Sequence, residues 1–257
     1  MIRFLCELIA RCFLFFVGMW LFSWFGMNLG EYSTPIFLIL ASMVIFNLTD
    51  RKHWSLGLKH DALIFDLLKG IFSGSISIAF VFTIVYLIGG HKIVGIIFDK
   101  GALYEWTLFC VLGALGEEIF VRGYLYGFIK HHFGVATSYI VSSGLFASFH
   151  FIRLGINVYS ISTLFLAGFL YAYMREKTGA IWLSFGFHFA WNFISGVLGI
   201  WRDKTILFKT VFAQDPLING GVYGIEGSVI TVSFFLLLVI VLFIKDQKRS
   251  NISFQLN

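Results

Sequence analysis

The chain has 257 residues, 58% of them hydrophobic and 13% charged, with a mean hydropathy of +0.86, whereas a soluble domain carries roughly 25% charged residues. A water-soluble core of this size could not hide so much apolar surface, and 32 phenylalanines with only two prolines, Pro35 and Pro216, favour long helices over a turn-rich β protein. The net charge of +5 comes from lysines and arginines scattered between apolar runs. They do not form the one-sided basic face of a nucleic-acid binder, so membrane lipids are the expected partner and nucleic acid is not.

A spanning helix needs about 20 mostly apolar residues, and about eight apolar runs bounded by charge or turn residues follow one another along the chain. The first covers Phe4 to Phe25. It is too long for a secretory h-region and lacks an A-x-A-like end, so it reads as an uncleaved span. The second is Pro35 to Leu48, short unless extended, and the third is Leu67 to Ile88, after a basic segment Arg51 to His60. The fourth runs from Leu103 to Phe128 and stops at Lys130-His131-His132. The fifth is Val135 to Ile152, the sixth Val158 to Met174, the seventh Ala180 to Ile200 and the eighth Ser228 to Ile244. Trp201 to Gly227 is the longest polar connection, with Pro216 and Asn219-Gly220-Gly221 as turn signals.

The expected fold class is therefore all-α, a polytopic membrane helix bundle of about eight transmembrane helices. Residues 1–100 would form N-terminal spans with a basic interfacial segment, 101–200 a catalytic core, and 201–257 a polar loop and the last span. Basic residues favour the cytoplasmic side. Cytoplasmic termini place Arg3, Arg51, Lys52, Lys59, Lys69, Lys130, Arg175, Lys177, Lys245, Lys248 and Arg249 inside and Lys92, Lys100, Arg153, Arg202, Lys204 and Lys209 outside. Cys6, Cys12 and Cys110 sit in apolar stretches without C-x-x-C spacing and read as lipid-facing or core residues.

A carboxylate at mid-bilayer costs roughly 2.5–3.5 kcal/mol on insertion scales, and the fourth run carries two in succession. Glu118 and Arg122 stand at i and i+4, stacked on one helix face and able to neutralise each other. Glu117 has only Gly113, Ala114, Phe120 and Val121 at the neighbouring helical positions. Two further runs add His150 and the i, i+4 pair His188 and Asn192. If they converge, they supply a carboxylate to deprotonate water, an imidazole to orient it or protonate the leaving amine, and donors for an oxyanion.

Other polar residues have simpler readings. His91, His131 and His132 stand beside lysines and read as solvated loop residues, and His53 and His60, with Trp54 and Leu56, as a segment lying on anionic headgroups. Arg153 reads as a topological anchor, with a substrate carboxylate as its alternative partner.

Three motifs give the chain a recognisable pattern: E-E-x-x-x-R at Glu117 to Arg122 followed by Gly123, F-x-x-x-H at Phe146 to His150, and H-x-x-x-N at His188 to Asn192, approached by Thr178-Gly179-Ala180-Ile181-Trp182. In order and spacing, over about Tyr104 to Gly199, the chain resembles the CPBP or Abi family of CAAX proteases and bacteriocin-processing proteins. The resemblance implies a membrane endopeptidase in a prokaryotic plasma membrane that cuts near the C-terminus of a lipidated protein or membrane-associated peptide. It also implies Glu117 activating water with His150 assisting, His188 and Asn192 as oxyanion hole, and Glu118 with Arg122 in support. No cofactor is required on this reading. A zinc held by Glu117, His150 and His188 is the alternative, although no H-E-x-x-H is present. A non-enzymatic immunity or scaffold protein and a proton-coupled transporter are the rival functions. Joint presence of all four catalytic residues disfavours the first, and the lack of paired repeats the second.

Overall fold

The computed structural model describes residues 2–24, 30–201, 206–213 and 215–255. Phe25, Arg202 and Lys204 lie outside the described residues, as do the side chains of Arg3, Lys248 and Arg249. The helices are α1 (Ile2–Trp24), α2 (Ser33–Ile45), α3 (Leu63–Leu87), α4 (Lys100–Glu117), α5 (Tyr126–Ser148), α6 (Val158–Thr178), α7 (Trp182–Val197), the short α8 (Pro216–Asn219) and α9 (Val229–Gln255).

Helix α3 turns most of its large apolar side chains outward. Along α3, Ile64, Phe65, Leu68, Phe72, Ile76 and Phe80 are exposed, while Asp66, Gly70, Gly74 and Ser77 are buried with Ile78 and Val81. Large apolar groups facing out and small or polar ones facing in is the pattern expected when lipid is the solvent and helices meet through close contact. Gly70 and Gly74 form a G-x-x-x-G step against α7. A β-carbon on Gly70 would meet the backbone of Leu183, Gly186 and Phe187, and one on Gly74 would lie 2.9 Å from the α-carbon of Phe187. Gly186 of α7 meets α3 in return, through the backbone of Leu67 and Ile71.

Gly30–Asp50, Leu63–Leu87 and Val229–Asp246 are, among the described residues, long and apolar enough to cross a membrane. Three of the about eight expected spans thus meet both length and composition among the described residues, and the number eight is not confirmed. The central helices are shorter or more polar, since α7 has 16 residues and the segment after α4 buries Glu118 and Arg122. The short second run is completed by a π-helical turn, Phe46–Asp50, that extends α2.

Four further expectations are corrected. The fold is not purely helical: β1 (His91–Ile96) and β2 (Phe208–Phe212) pair antiparallel, His91 opposite Phe212, with an irregularity between Ile93 and Gly95. Lys130-His131-His132 does not end a helix. The chain stays helical from Lys100 through a π-helical turn, Glu118–Leu125, into α5, and the break falls at Gly134, whose φ of +78° suits a residue without a β-carbon. His131 and His132 are exposed as expected, but helical. His91 is buried between Phe82 and Phe212 instead of solvated. Likewise Leu56 is buried and Trp54 packs over Gly127 and Phe128, so that part of the basic segment serves the protein core and not a lipid surface.

Overpacking a tight crossing costs about 1–3 kcal/mol. Gly74→Leu should lower the thermal stability of detergent-solubilised protein by at least that much, whereas Phe72→Leu on the exposed face should leave the melting temperature nearly unchanged.

Candidate active site

Glu118 is fully buried, and its Oε1 faces two partners. Arg122 Nη1 lies at 3.2 Å and His188 Nδ1 at 3.2 Å. The first is the i, i+4 pairing legible in the sequence. The second joins the π-helical turn to α7. Arg122 is further fixed by donating Nη2–H to the Gly168 carbonyl of α6 at 3.2 Å and by lying 4.3 Å from the Phe146 ring and 5.0 Å from that of Tyr171. Tyr171 also stacks on His188, ring centroids 5.1 Å apart. With Nδ1–H donating to Glu118, the Nε2 of His188 is directed to Glu117, whose Oε2 is 3.7 Å away. A carboxylate that fixes which imidazole nitrogen faces the site is a familiar orienting device.

Glu117 is otherwise free of protein hydrogen bonds at Oε2, and its side chain remains 32% exposed where that of Glu118 is 0%. It sits one residue beyond Gly116, where α4 closes on Pro35 of α2. His150 lies just beyond the end of α5, its Nδ1 2.9 Å from the Phe146 carbonyl oxygen, so that Nε2 is the nitrogen left for chemistry. Trp106 of α4 donates to the Phe193 carbonyl at 3.0 Å and covers Gly196, tying α4 to the part of α7 that carries Asn192.

All four expected catalytic residues, Glu117, His150, His188 and Asn192, line one cavity of about 200 Å³. Glu118 and Arg122 stand behind it. A second cavity of about 300 Å³ adjoins the first and shares Glu117, Phe146 and His150 with it. Its remaining wall is almost wholly apolar, from Phe15, Phe16 and Met19 of α1, Leu38 of α2, and Phe120, Val121, Phe149 and Ile152.

Arg153 and Glu226 also line the polar cavity. Arg153 therefore turns inward, held 4.2 Å from the Trp201 ring, 4.6 Å from that of Tyr223 and 3.7 Å from Glu226, where an exposed anchor was expected. Glu226 accepts a hydrogen bond from Trp191 Nε1 at 2.9 Å. No motif pointed to Glu226. The available signal was an acid two residues before the start of the last apolar run. Among the described residues no group of three His, Cys, Asp or Glu side chains comes together as a metal site would need.

A family model described as Type II CAAX prenyl endopeptidase Rce1-like matches residues 99–194. No curated protein and no solved structure matches the chain. The matched stretch begins at the N-cap of α4, Asp99, and ends within α7, so it contains Glu117, Glu118, Arg122, His150, His188 and Asn192 and leaves Glu226 outside.

Removing one member of a buried ion pair costs about 3–5 kcal/mol because the other is left uncompensated. Glu118→Ala and Arg122→Ala should each destabilise the purified protein by about that amount, measured by thermal unfolding in detergent. The double variant should lose less than the sum of the two.

Proposed function

We propose that the chain, whose residues 99–194 match the type II CAAX prenyl endopeptidase Rce1-like family model, hydrolyses a peptide bond near the C-terminus of a lipidated or otherwise membrane-associated substrate, with Glu117 activating the water. The observation that carries this reading is the convergence of Glu117, His150, His188 and Asn192 on one cavity.

In the proposed reaction the Glu117 carboxylate takes a proton from water as the water oxygen attacks the scissile carbonyl carbon. His150 orients that water through Nε2. Negative charge then develops on the former carbonyl oxygen, where the Asn192 carboxamide N–H donates, and His188 in its imidazolium form donates from Nε2. Glu118 keeps the opposite side of the His188 ring occupied, so the ring cannot turn away as the charge builds. The proton held by Glu117 passes to the leaving nitrogen, the C–N bond breaks, and the carboxylate is regenerated. No metal takes part in these steps.

The apolar cavity beside Glu117 and His150 suits the hydrophobic anchor of such a substrate, and the polar cavity suits the peptide beyond the cut. The cytoplasmic placement of both termini is part of the same proposal. It rests on the basic residues of the segment 51–60, of Lys130 and of Arg175, which meet at one end of the bundle.

General-base groups contribute about 10²–10⁴-fold. Glu117→Gln should lower kcat on a lipidated reporter peptide by at least about 10²-fold without changing the melting temperature, and undiminished turnover would sink the proposal. Exhaustive chelation should leave wild-type turnover intact. Leu38→Trp, which fills the apolar cavity, should raise KM for a lipidated peptide well above any effect on the same peptide without its lipid.

A further inference from the structure

At the end of the bundle where the segment 53–55, the beginning of α5 and the end of α6 meet, a third cavity of about 370 Å³ is lined by His53, Trp54, Ser55, Lys130, His131 and Arg175. It shares no lining residue with the polar cavity that holds Glu117. Its charge is one-sided. Lys130 pairs with both Glu176 oxygens, at 2.6 and 2.8 Å, and Tyr126 donates to the same carboxylate at 2.7 Å; the exposed ammonium keeps its third N–H for a further anion. Arg175 is left as a second cation that is 9% exposed. Its Nη2–H donates to the Ser55 carbonyl at 2.7 Å and its Nε has no hydrogen-bond partner. No carboxylate forms an ion pair with it among the described residues.

A buried guanidinium that forms no direct ion pair is costly, even with the Glu176 carboxylate acting on it from a distance, and it can form paired hydrogen bonds that match the oxygens of a phosphate. Gly57 permits this placement. Its φ is +74°, and a β-carbon there would lie 2.8 Å from the guanidinium carbon of Arg175. The His53 and His131 rings lie nearby, tilted at 42° with centroids 5.1 Å apart, and add donors on the open side. Basic pockets between helices at a membrane surface are suited to anionic headgroups.

We propose that this cavity, walled by Arg175, Lys130, His131 and His53, binds a phosphate group, that of an anionic lipid headgroup or of free phosphate. Arg175 supplies the buried charge, and Lys130 and the histidines close over it from the exposed side.

The test is equilibrium binding of dihexanoyl phosphatidic acid to the full chain in neutral detergent, read by native mass spectrometry. One saturable site is expected. Charge-assisted hydrogen bonds are worth about 1.5–3 kcal/mol, so Lys130→Gln and His131→Gln, both on the exposed side, should each weaken binding about tenfold or more. Lys59→Gln, outside the cavity, should not. Displacement by millimolar inorganic phosphate would assign the site to free phosphate, and persistence against it to the lipid headgroup. Binding that is non-saturable, unchanged by Lys130→Gln and His131→Gln, or weakened equally by Lys59→Gln overturns the proposal. Thermal unfolding of each variant confirms that it is folded, and Arg175→Gln, provided it folds, should abolish binding.

Discussion

The Glu118 carboxylate, shared between Arg122 and His188 and closed off from solvent, is the constraint on which the site depends. An acid in this position is tolerated only with compensating charge, and the compensation comes from two helical elements at once. Through Arg122 it reaches the Gly168 carbonyl of α6, and through His188 it reaches α7. The burial of one charge therefore fixes the relative placement of three segments that would otherwise meet only through apolar contact. The placement of Glu117 follows from a structural requirement at its neighbour.

Close approach makes that arrangement attainable. With lipid as solvent there is little gain in hiding apolar side chains, and helices associate where small residues let backbones touch. Gly70, Gly74 and Gly186 do this between α3 and α7, Gly116 between α4 and α2, and Gly168 between α6 and Ser143 of α5. The π-helical turn Glu118–Leu125 widens the helix where the ionic residues sit. Such turns often occur at functional sites.

Much of the site was legible because its logic is local. The i, i+4 spacings of Glu118 with Arg122 and of His188 with Asn192 follow from helix geometry, and motif order tied them to His150. What could not be read depends on distant contacts. Glu226 is 35 positions from the Trp191 that it accepts from, and Arg153 turned inward because Trp201, Tyr223 and Glu226 gather around it. Arg11 of α1 was taken as part of an apolar span, yet it pairs with Asp50 at 2.7 Å and with Glu7 at 2.9 Å and contacts the Tyr124 hydroxyl. The β1–β2 ladder was missed because each strand is only five or six residues long and they are far apart in the chain. The boundary expected at Lys130 failed because a positive-φ glycine, Gly134, ends a helical stretch more decisively than a charged run does.

Glu117 and His150 form the party wall between an oily compartment and a polar one. Under the proposed function, a substrate occupying both would present its backbone to the carboxylate only where its greasy anchor ends and its peptide begins. Selectivity of this kind measures the distance from the anchor to the bond and needs no reading of individual side chains. An enzyme built on that wall behaves as a ruler, tolerant of what it cuts and strict about where.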